Sequence, residues 1–426
     1  MRRTVEADKT LLLDGPASVA LLSGEAEILG AQFKVGSKMV IREGKRVPLE
    51  VKEKAEFDLQ LGEKAALSEV EISTIPKSWE NAVATILEQV SQPVTVMIVG
   101  GIDSGKTSFY AYLANKALKE KRSVVIIDAD LGQSDVGPPS TIGSCRITKP
   151  VRDPFEIGAE SIYFIGVTSP SGAVPKVIEG IATMKEKALK RDVNILIINT
   201  DGWIEGEDAV RYKVDLVKQI KPNVLVAIQE QSELTFLLGA LTETQNLAIE
   251  SSPAVRKRDR EERKLLRELG YRKYLKGAKV DLFSLSWVRI SGAPFGTGVP
   301  PSRERMNTIV EHLGTTPMYC EETLDSIFIV LSKEQWADEE IARTLENTVN
   351  KKVKIAWEGD EEGLLVALHN KDGNFLGIGI LEEIDYERRI MKVYTRVKSR
   401  VHSIHVGQIK LDRTGKELGQ SDTFAD

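Results

Sequence analysis

The sequence predicts an α/β fold: a central parallel sheet with helices on both faces, flanked by smaller, mainly-β domains at the N- and C-terminal ends. Three observations predict it. From about 76 to 295, apolar β-branched runs alternate with segments of helical period. Runs such as Val124-Val125-Ile126-Ile127 are apolar without alternation, as expected of strands buried on both faces of a parallel sheet. On either side of this region the pattern turns to short strands separated by closely spaced glycines and prolines.

The elements follow in order. Residues 1–75 read as an N-terminal β domain. Ser18-Val19-Ala20-Leu21-Leu22, Ala26-Glu27-Ile28-Leu29 and Lys38-Met39-Val40-Ile41 are strands, with Gly24, Gly30, Gly36 and Gly44 close by. The alternation in Leu49-Glu50-Val51-Lys52 suits a strand with one buried face. Residues 76–298 form the central domain, with strands at 94–99, 123–129, 161–167, 193–199, 223–229 and 281–290. Helices are expected at 105–119, 174–190, 206–220 and 256–270. Pro294, Pro300 and Pro301, with Gly292, Gly296 and Gly298, punctuate the next boundary. Residues 299–426 read as a C-terminal mainly-β domain interrupted by one helix near 336–349. Gly377-Ile378-Gly379-Ile380-Leu381 and Met391-Lys392-Val393-Tyr394-Thr395 are two of its strands, and the polar stretch from about Arg413 is expected to fray.

Composition narrows the class. A chain of 426 residues with 42% hydrophobic residues exceeds what one core holds, so two or three domains are expected. No apolar stretch is long enough to span a bilayer, and Met1-Arg2-Arg3 is not followed by the apolar core of a secretory signal. A cytoplasmic protein without a membrane partner is expected. Cys145 and Cys320 have no metal-ligand spacing and read as ordinary thiols in a reducing compartment. The four histidines show no metal pattern either, and His402 with His405 makes a poor ligand pair. A net charge of −5 neither announces nor excludes a nucleic-acid partner, because local fields matter more than the sum.

The most informative segment is Gly100-Gly101-Ile102-Asp103-Ser104-Gly105-Lys106-Thr107, which fits G-x-x-x-x-G-K-[ST]. It stands between an apolar strand, Val94-Thr95-Val96-Met97-Ile98-Val99, and a helix opening at Ser108-Phe109-Tyr110. There its backbone N–H groups and the helix N-terminus can hold phosphate. Lys106 can reach the β/γ-phosphates, and the Thr107 hydroxyl can ligate Mg²⁺. The central sheet is therefore expected to be of the P-loop NTPase type, binding nucleotide beyond the carboxyl ends of its strands.

The following strand ends in Asp128-Ala129-Asp130-Leu131-Gly132-Gln133. Alternation sets Asp128 and Asp130 on one side, where one carboxylate can hold metal and the other can accept a proton from an attacking hydroxyl. Both could instead cap the turn that follows. Further on, Arg256, Lys257, Arg258, Arg260, Arg263 and Arg267 form a basic segment. On a helix Arg256, Arg260, Arg263 and Arg267 share a face while Arg258 lies off it. A lid using Arg258 and Arg263 therefore needs a break near Asp259.

Asp130-Leu131-Gly132-Gln133 followed by Pro138-Pro139-Ser140-Thr141-Ile142-Gly143 resembles the polynucleotide 5′-hydroxyl kinase family. That family includes the RNA kinase subunit of the messenger-RNA 3′-end cleavage machinery and the kinase of ribosomal-RNA spacer processing. The P-loop with Asp103 inside it looks like the family's. Gly166-Val167-Thr168-Ser169-Pro170 resembles its clasp over the phosphates, and Asn199-Thr200-Asp201-Gly202-Trp203 resembles its N-T-x-G-W segment. Arg258 and Arg263 fall where its lid arginines fall, within a lid near 254–272. Gly24-Glu25-Ala26-Glu27-Ile28-Leu29-Gly30 and, toward the other end, Gly377-Ile378-Gly379, Ile384-Asp385-Tyr386, Tyr394-Thr395 and Val406-Gly407 look like the family's flanking β domains. Ser140 departs from the pattern, where glycine is usual.

The resemblance implies ATP and Mg²⁺ as cofactors. It implies transfer of the γ-phosphate to the 5′-hydroxyl of RNA, with DNA left open, in RNA processing or repair beside a nuclease or ligase partner. An archaeal source suits the reading. The resemblance gives Gly100 through Ser108, with Thr168 and Ser169, to ATP and phosphate. It gives Thr107, Asp128 and Asp130 to the metal. Lys106, Asp130, Gln133, Arg258 and Arg263 would carry catalysis, with Asp130 as general base. Trp203 would stack on the first acceptor base, with Gln133 and Thr168 beside it. The alternative is an ATP-bound, non-catalytic scaffold of an RNA-processing complex, which would be expected to lose one of these groups. A GTPase would need an N-K-x-D-like segment, which the chain around Asn223-Val224-Leu225-Val226 does not provide.

Overall fold

The computed structural model describes residues 1–89 and 93–421. The chain forms two compact units. The first comprises Met1–Ile165 and Ser169–Arg267; the second comprises Gly166–Thr168 and the chain from Glu268 onward.

The first unit opens with an antiparallel sheet of β1 (Arg2–Val5), β2 (Thr10–Asp14), β3 (Ala17–Ile28), β4 (Ala31–Phe33), β5 (Lys38–Ile41), β6 (Arg46–Leu61) and β7 (Ala66–Val70). Its order is β4-β3-β6-β2-β7, with β1 on β6 and β5 on β3. Period-two alternation along β6 buries Val47, Leu49, Val51, Ala55, Phe57 and Leu59, so one face of the sheet seeks a core.

Next come α1 (Lys77–Leu87), β8 (Val94–Gly100), α2 (Lys106–Lys119), β9 (Val124–Ala129), β10 (Thr141–Ile147), β11 (Ser161–Phe164), α3 (Val174–Leu189), β12 (Ile195–Thr200), α4 (Glu207–Ile220), β13 (Val224–Gln229), α5 (Thr235–Gly239) and β14 (Gln245–Glu250). The central sheet runs β11-β10-β9-β12-β8-β13-β14. β9, β12, β8, β13 and β14 are parallel, while β10 and β11 close one edge antiparallel. Every residue of β8, β9 and β12 is buried, as their unbroken apolar runs predict.

Alternate side chains of these strands (Val94, Val96 and Ile98; Val124 and Ile126; Ile195 and Ile197) enter one core with α1, α2 and the N-terminal sheet. The other set is equally buried, on the side where α3, α4 and α5 pack against one another. Asn115 of α2 joins the two sheets. Its amide donates to the carbonyls of Leu29 and Val151, both at 2.8 Å, and accepts from the Val151 N–H at 2.7 Å.

α6 (Arg260–Leu275) carries the chain into the second unit. This unit contains β15 (Lys279–Ser284), β16 (Arg289–Ser291), α7 (Arg303–Leu313), β17 (Tyr319–Glu322), β18 (Ser326–Leu331), α8 (Glu339–Val349), β19 (Lys352–Trp357), β20 (Leu364–His369), β21 (Phe375–Asp385), β22 (Ile390–Thr395), β23 (Ser403–Leu411) and β24 (Glu417–Gln420). One sheet runs β15-β22-β21-β20-β23-β16 with β24 on β23, and a smaller one runs β17-β18-β19. The fold class expected from sequence is the one found: a mostly parallel central sheet with helices, and antiparallel-rich sheets before and after it.

Several local expectations are corrected. The strand expected at 281–290 is two strands, β15 and β16, and both belong to the C-terminal sheet. A turn at Ser284 to Val288 separates them. The Pro138–Gly143 motif is a turn that runs directly into β10, so a strand lies where only a turn was expected. β14, α1, α5 and α7 were not expected either. The stretch beyond Arg413 includes β24 instead of fraying from the start, and 422–426 lie outside the described residues. Ser140 sits at φ 67°, the left-handed region, which explains physically why glycine is usual at this point. Among the described residues, no helix is long and apolar enough to cross a membrane. Both cysteines are free and buried.

Candidate active site

β8 ends at Gly100 and α2 begins at Lys106, so the loop between them lies at the carboxyl edge of the parallel sheet. Gly105, at φ 99°, turns the chain into the helix through a conformation that side chains resist. The Lys106 ammonium is buried and donates to two carbonyls of its own loop, Gly100 at 3.0 Å and Gly101 at 2.7 Å. Burial lowers its pKa, opposed chiefly by the neighbouring charge of Asp130. Ser104 Oγ is buried with no hydrogen-bond partner, an unspent polar group inside the loop. A glycine-rich loop with such an orphan, at the start of a helix, fits a phosphate chain.

The two carboxylates after β9 differ in environment. Asp128 is buried and its oxygens are filled. They accept from the Asn199 amide at 2.9 Å and the Ser134 hydroxyl at 3.4 Å. They also accept from the N–H groups of Asp130 at 3.3 Å, Asp135 at 2.8 Å and Val136 at 3.2 Å. Burial, then the charges of Asp130 and Asp135, push its pKa up to about 7. Asp130 accepts from the N–H groups of Gly132 at 3.2 Å and Gln133 at 2.9 Å, through one oxygen. Burial raises its pKa and the charge of Lys106 opposes the rise. Both aspartates thus do cap the turn, while the second oxygen of Asp130 has no hydrogen-bond donor among the described residues.

The basic segment meets the phosphate loop. Asp259 N-caps α6 by a reciprocal pair: the Glu262 N–H donates to Asp259 at 2.8 Å, and the Asp259 N–H donates to Glu262 at 3.2 Å. This is the break that a lid using both arginines requires. The helix expected at 256–270 therefore starts only at Arg260, leaving Arg258 in the irregular lead-in. Asp103 gathers both arginines. It accepts the Arg258 N–H at 2.9 Å and lies 3.4 Å from the Arg258 guanidinium and 4.0 Å from that of Arg263. Arg263 also donates to the Arg258 carbonyl at 2.7 Å, and the Gln133 amide donates to the Arg263 carbonyl at 3.0 Å. Arg258 Nε is buried without a partner. Arg256 lies outside this group and pairs with Glu262.

The loop after β12 carries Trp203. Its Gly202 permits close packing on the phosphate loop: a Cβ there would meet Ile102 Cγ1 at 2.7 Å and the Ile102 nitrogen at 2.9 Å. Trp203 is half-buried and stacks on Tyr212 of α4, with ring centroids 5.7 Å apart. Sequence reasoning missed Asp201, Tyr212 and Lys213, which hold this loop. The signal was present, because Lys213 falls in the α4 stripe of Ala209, Tyr212, Leu216, Val217 and Ile220, a charge at a core position. Thr168 and Ser169 follow β11; Ser169 caps a short 3₁₀ turn, accepting from the Ser171 N–H at 3.5 Å. Thr107 and Ser108 lie in the first turn of α2, partly exposed.

Among the described residues, no cluster of three or more His, Cys, Asp or Glu side chains could hold a metal. Mg²⁺ bound with nucleotide does not need one, since phosphates and waters fill most of its positions. The pair of histidines in contact is His369 with His405, centroids 4.4 Å apart, in place of His402 with His405.

Comparison with known proteins agrees with the motifs. Residues 100–277 match the family described as the mRNA cleavage and polyadenylation factor CLP1 P-loop. A polyribonucleotide 5′-hydroxyl-kinase of Pyrococcus abyssi is 29% identical over 346 residues, covering 80% of this chain and 94% of the relative. One of Methanocaldococcus jannaschii is 26% identical, covering 82% and 95%. A CLP1 homolog of Culex quinquefasciatus is 27% identical over 63% of this chain and 67% of its own. Clp1p, solved in complex with a segment of Pcf11p, superposes with a TM-score of 0.68 at 14% identity, covering 96% of this chain and 97% of that one. At that identity the likeness speaks for the fold. Residues 100–277 match the CLP1 P-loop family, in a chain that has the Clp1 fold and is similar to archaeal proteins named polyribonucleotide 5′-hydroxyl-kinase.

Proposed function

We propose that this protein is an ATP-dependent polynucleotide 5′-hydroxyl kinase that phosphorylates the 5′ end of RNA. The observation that carries the reading is the chain of contacts that runs from Asp130 through Gln133, Arg263 and Arg258 to Asp103 of the phosphate loop, the loop that also holds Lys106. Lys106, Asp130, Gln133, Arg258 and Arg263 are each a group that phosphoryl transfer to a hydroxyl requires, and a scaffold without turnover would have no need to keep them all. RNA is favoured over DNA by the names of the archaeal relatives. A second Clp1p structure concerns ATP loss in a point mutant, which supports ATP as the bound nucleotide.

In this reading the loop N–H groups of 100–108 and the Ser104 hydroxyl hold the phosphates. Lys106 leaves its own carbonyls to neutralise the β/γ-phosphates. Asp130 accepts the proton of the acceptor 5′-hydroxyl, and Gln133 orients that hydroxyl while steadying the lid through the Arg263 carbonyl. Arg258 and Arg263 exchange Asp103 for the transferring phosphoryl group. Thr168 and Ser169 would clasp phosphate. Thr107 would hold Mg²⁺, which when bound spreads the charge that builds on the phosphate oxygens, and Asp130 is left to the proton. Asp128, already filled by five donors, shapes the turn instead of holding metal. We propose 1–75, 76–298 and 299–426 as the functional division of the chain, with the lid near 254–272; the boundary at 298 divides the chain by function and not by sheet, since β15 and β16 pair in the C-terminal sheet. We also propose a cytoplasmic setting with a nuclease or ligase as partner.

Steady-state kinetics with RNA and DNA acceptors of one sequence test the reading, and a lower KM for RNA is expected. Trp203→Ala should raise the acceptor KM by about tenfold, since stacking contributes roughly 1–3 kcal/mol per base. The KM for ATP should stay within about twofold, because the ring is no part of the phosphate loop. Equal losses for both substrates would make Trp203 structural.

A further inference from the structure

Lys213 is fully buried on α4, and a buried ammonium is costly unless paired. Its partner is Asp201, at 2.8 Å, and it donates to the Asp201 carbonyl at 3.1 Å as well. The same carboxylate accepts the Tyr212 hydroxyl at 2.8 Å and the Trp203 N–H at 2.9 Å. Tyr212 in turn lies against the Trp203 ring, the planes 24° apart. Adjacent residues of α4 thus fix this loop twice, Lys213 through its backbone and Tyr212 through the tryptophan ring. The Gly202 contact with Ile102 ties the same loop to the phosphate loop.

We propose that Lys213, Asp201 and Tyr212 are positioning residues for the acceptor: they hold the Trp203 ring where the first base of the incoming strand stacks, at a fixed offset from the phosphate loop. This rests on the kinase reading for the identity of the acceptor, and it adds which residues set its geometry. Tyr212 covers one face of the indole and leaves the half-buried residue surface for a base. Lys213 compensates the Asp201 charge and pins the Asp201 carbonyl, so the chain reversal that presents Trp203 cannot relax. A ring with a preset orientation spares the complex the entropy of ordering it.

The test uses the full-length protein, a short 5′-hydroxyl RNA, and the same RNA lacking its 5′-terminal base, with binding read by fluorescence anisotropy. Tyr212→Leu and Lys213→Met should each weaken the intact RNA about tenfold, the scale of a lost stacking contact. The RNA without its first base should lose at most about twofold, because the contact that the positioning residues support is already missing. Tyr212→Phe, which keeps the ring, should bind within about threefold of wild type. If Lys213→Met does not fold, Lys213→Met with Asp201→Asn removes the stranded charge and is measured in its place. Equal weakening of both RNAs, or none of either, overturns the proposal. A wild-type protein that binds RNA but transfers no phosphate overturns the kinase reading alone. A wild-type protein that binds no 5′-hydroxyl RNA overturns both.

Discussion

Asp130→Asn should lower the turnover number by about 100- to 10,000-fold, the range of a positioned general base, and leave ATP affinity within about twofold. The substitution keeps an oxygen that can accept from Gly132 and Gln133, so the turn survives while the proton acceptor is lost. pH supplies a second readout. Burial raises the Asp130 pKa above the ordinary carboxylate value, with Lys106 opposing. Because the base acts as the carboxylate, turnover should rise with pH through that raised pKa and level off above it. The acidic limb should vanish in Asp130→Asn. An unchanged turnover number, or an unchanged acidic limb, removes Asp130 from this role.

Replacing Arg258 and Arg263 together by Ala should lower single-turnover transfer by about a thousandfold or more, as loss of arginines that neutralise a transferring phosphoryl does. Asp103 now takes part of the place the phosphoryl would take, at 3.4 Å from one guanidinium and 4.0 Å from the other. Lysine should not restore the rate at either position, because a point charge cannot reproduce the planar fork. Retention of the wild-type rate in the double variant would mean that this segment is an ordinary solvated helix start.

Much of this site was legible in the sequence because its chemistry is local. The phosphate loop, its strand and its helix are contiguous, so spacing alone placed Gly100 to Ser108. The need for a break at Asp259 followed from helical geometry, because Arg258 and Arg263 are five residues apart and off one stripe. What failed was non-local. Asp128 and Asp130 look equivalent by alternation, and only the folded turn shows that Asn199, Ser134 and the backbone fill one of them. The strands at 279–284 and 289–291 have ordinary strand composition, and nothing in it says which sheet they join. β10 starts inside Pro138–Gly143, whose prolines and glycine read as a turn. Lys213 was passed over because a single lysine in an amphipathic helix is usually solvated; only its partner across the β12 loop marks it as a core residue.

Transfer of labelled γ-phosphate from ATP to a 5′-hydroxyl RNA tests the central claim most directly. The account predicts Mg²⁺-dependent appearance of label on the 5′ end, at a rate that falls by about 100-fold or more in Asp130→Asn. A folded protein that binds ATP and RNA, yet labels no 5′ end across a range of pH and divalent metals, would contradict it.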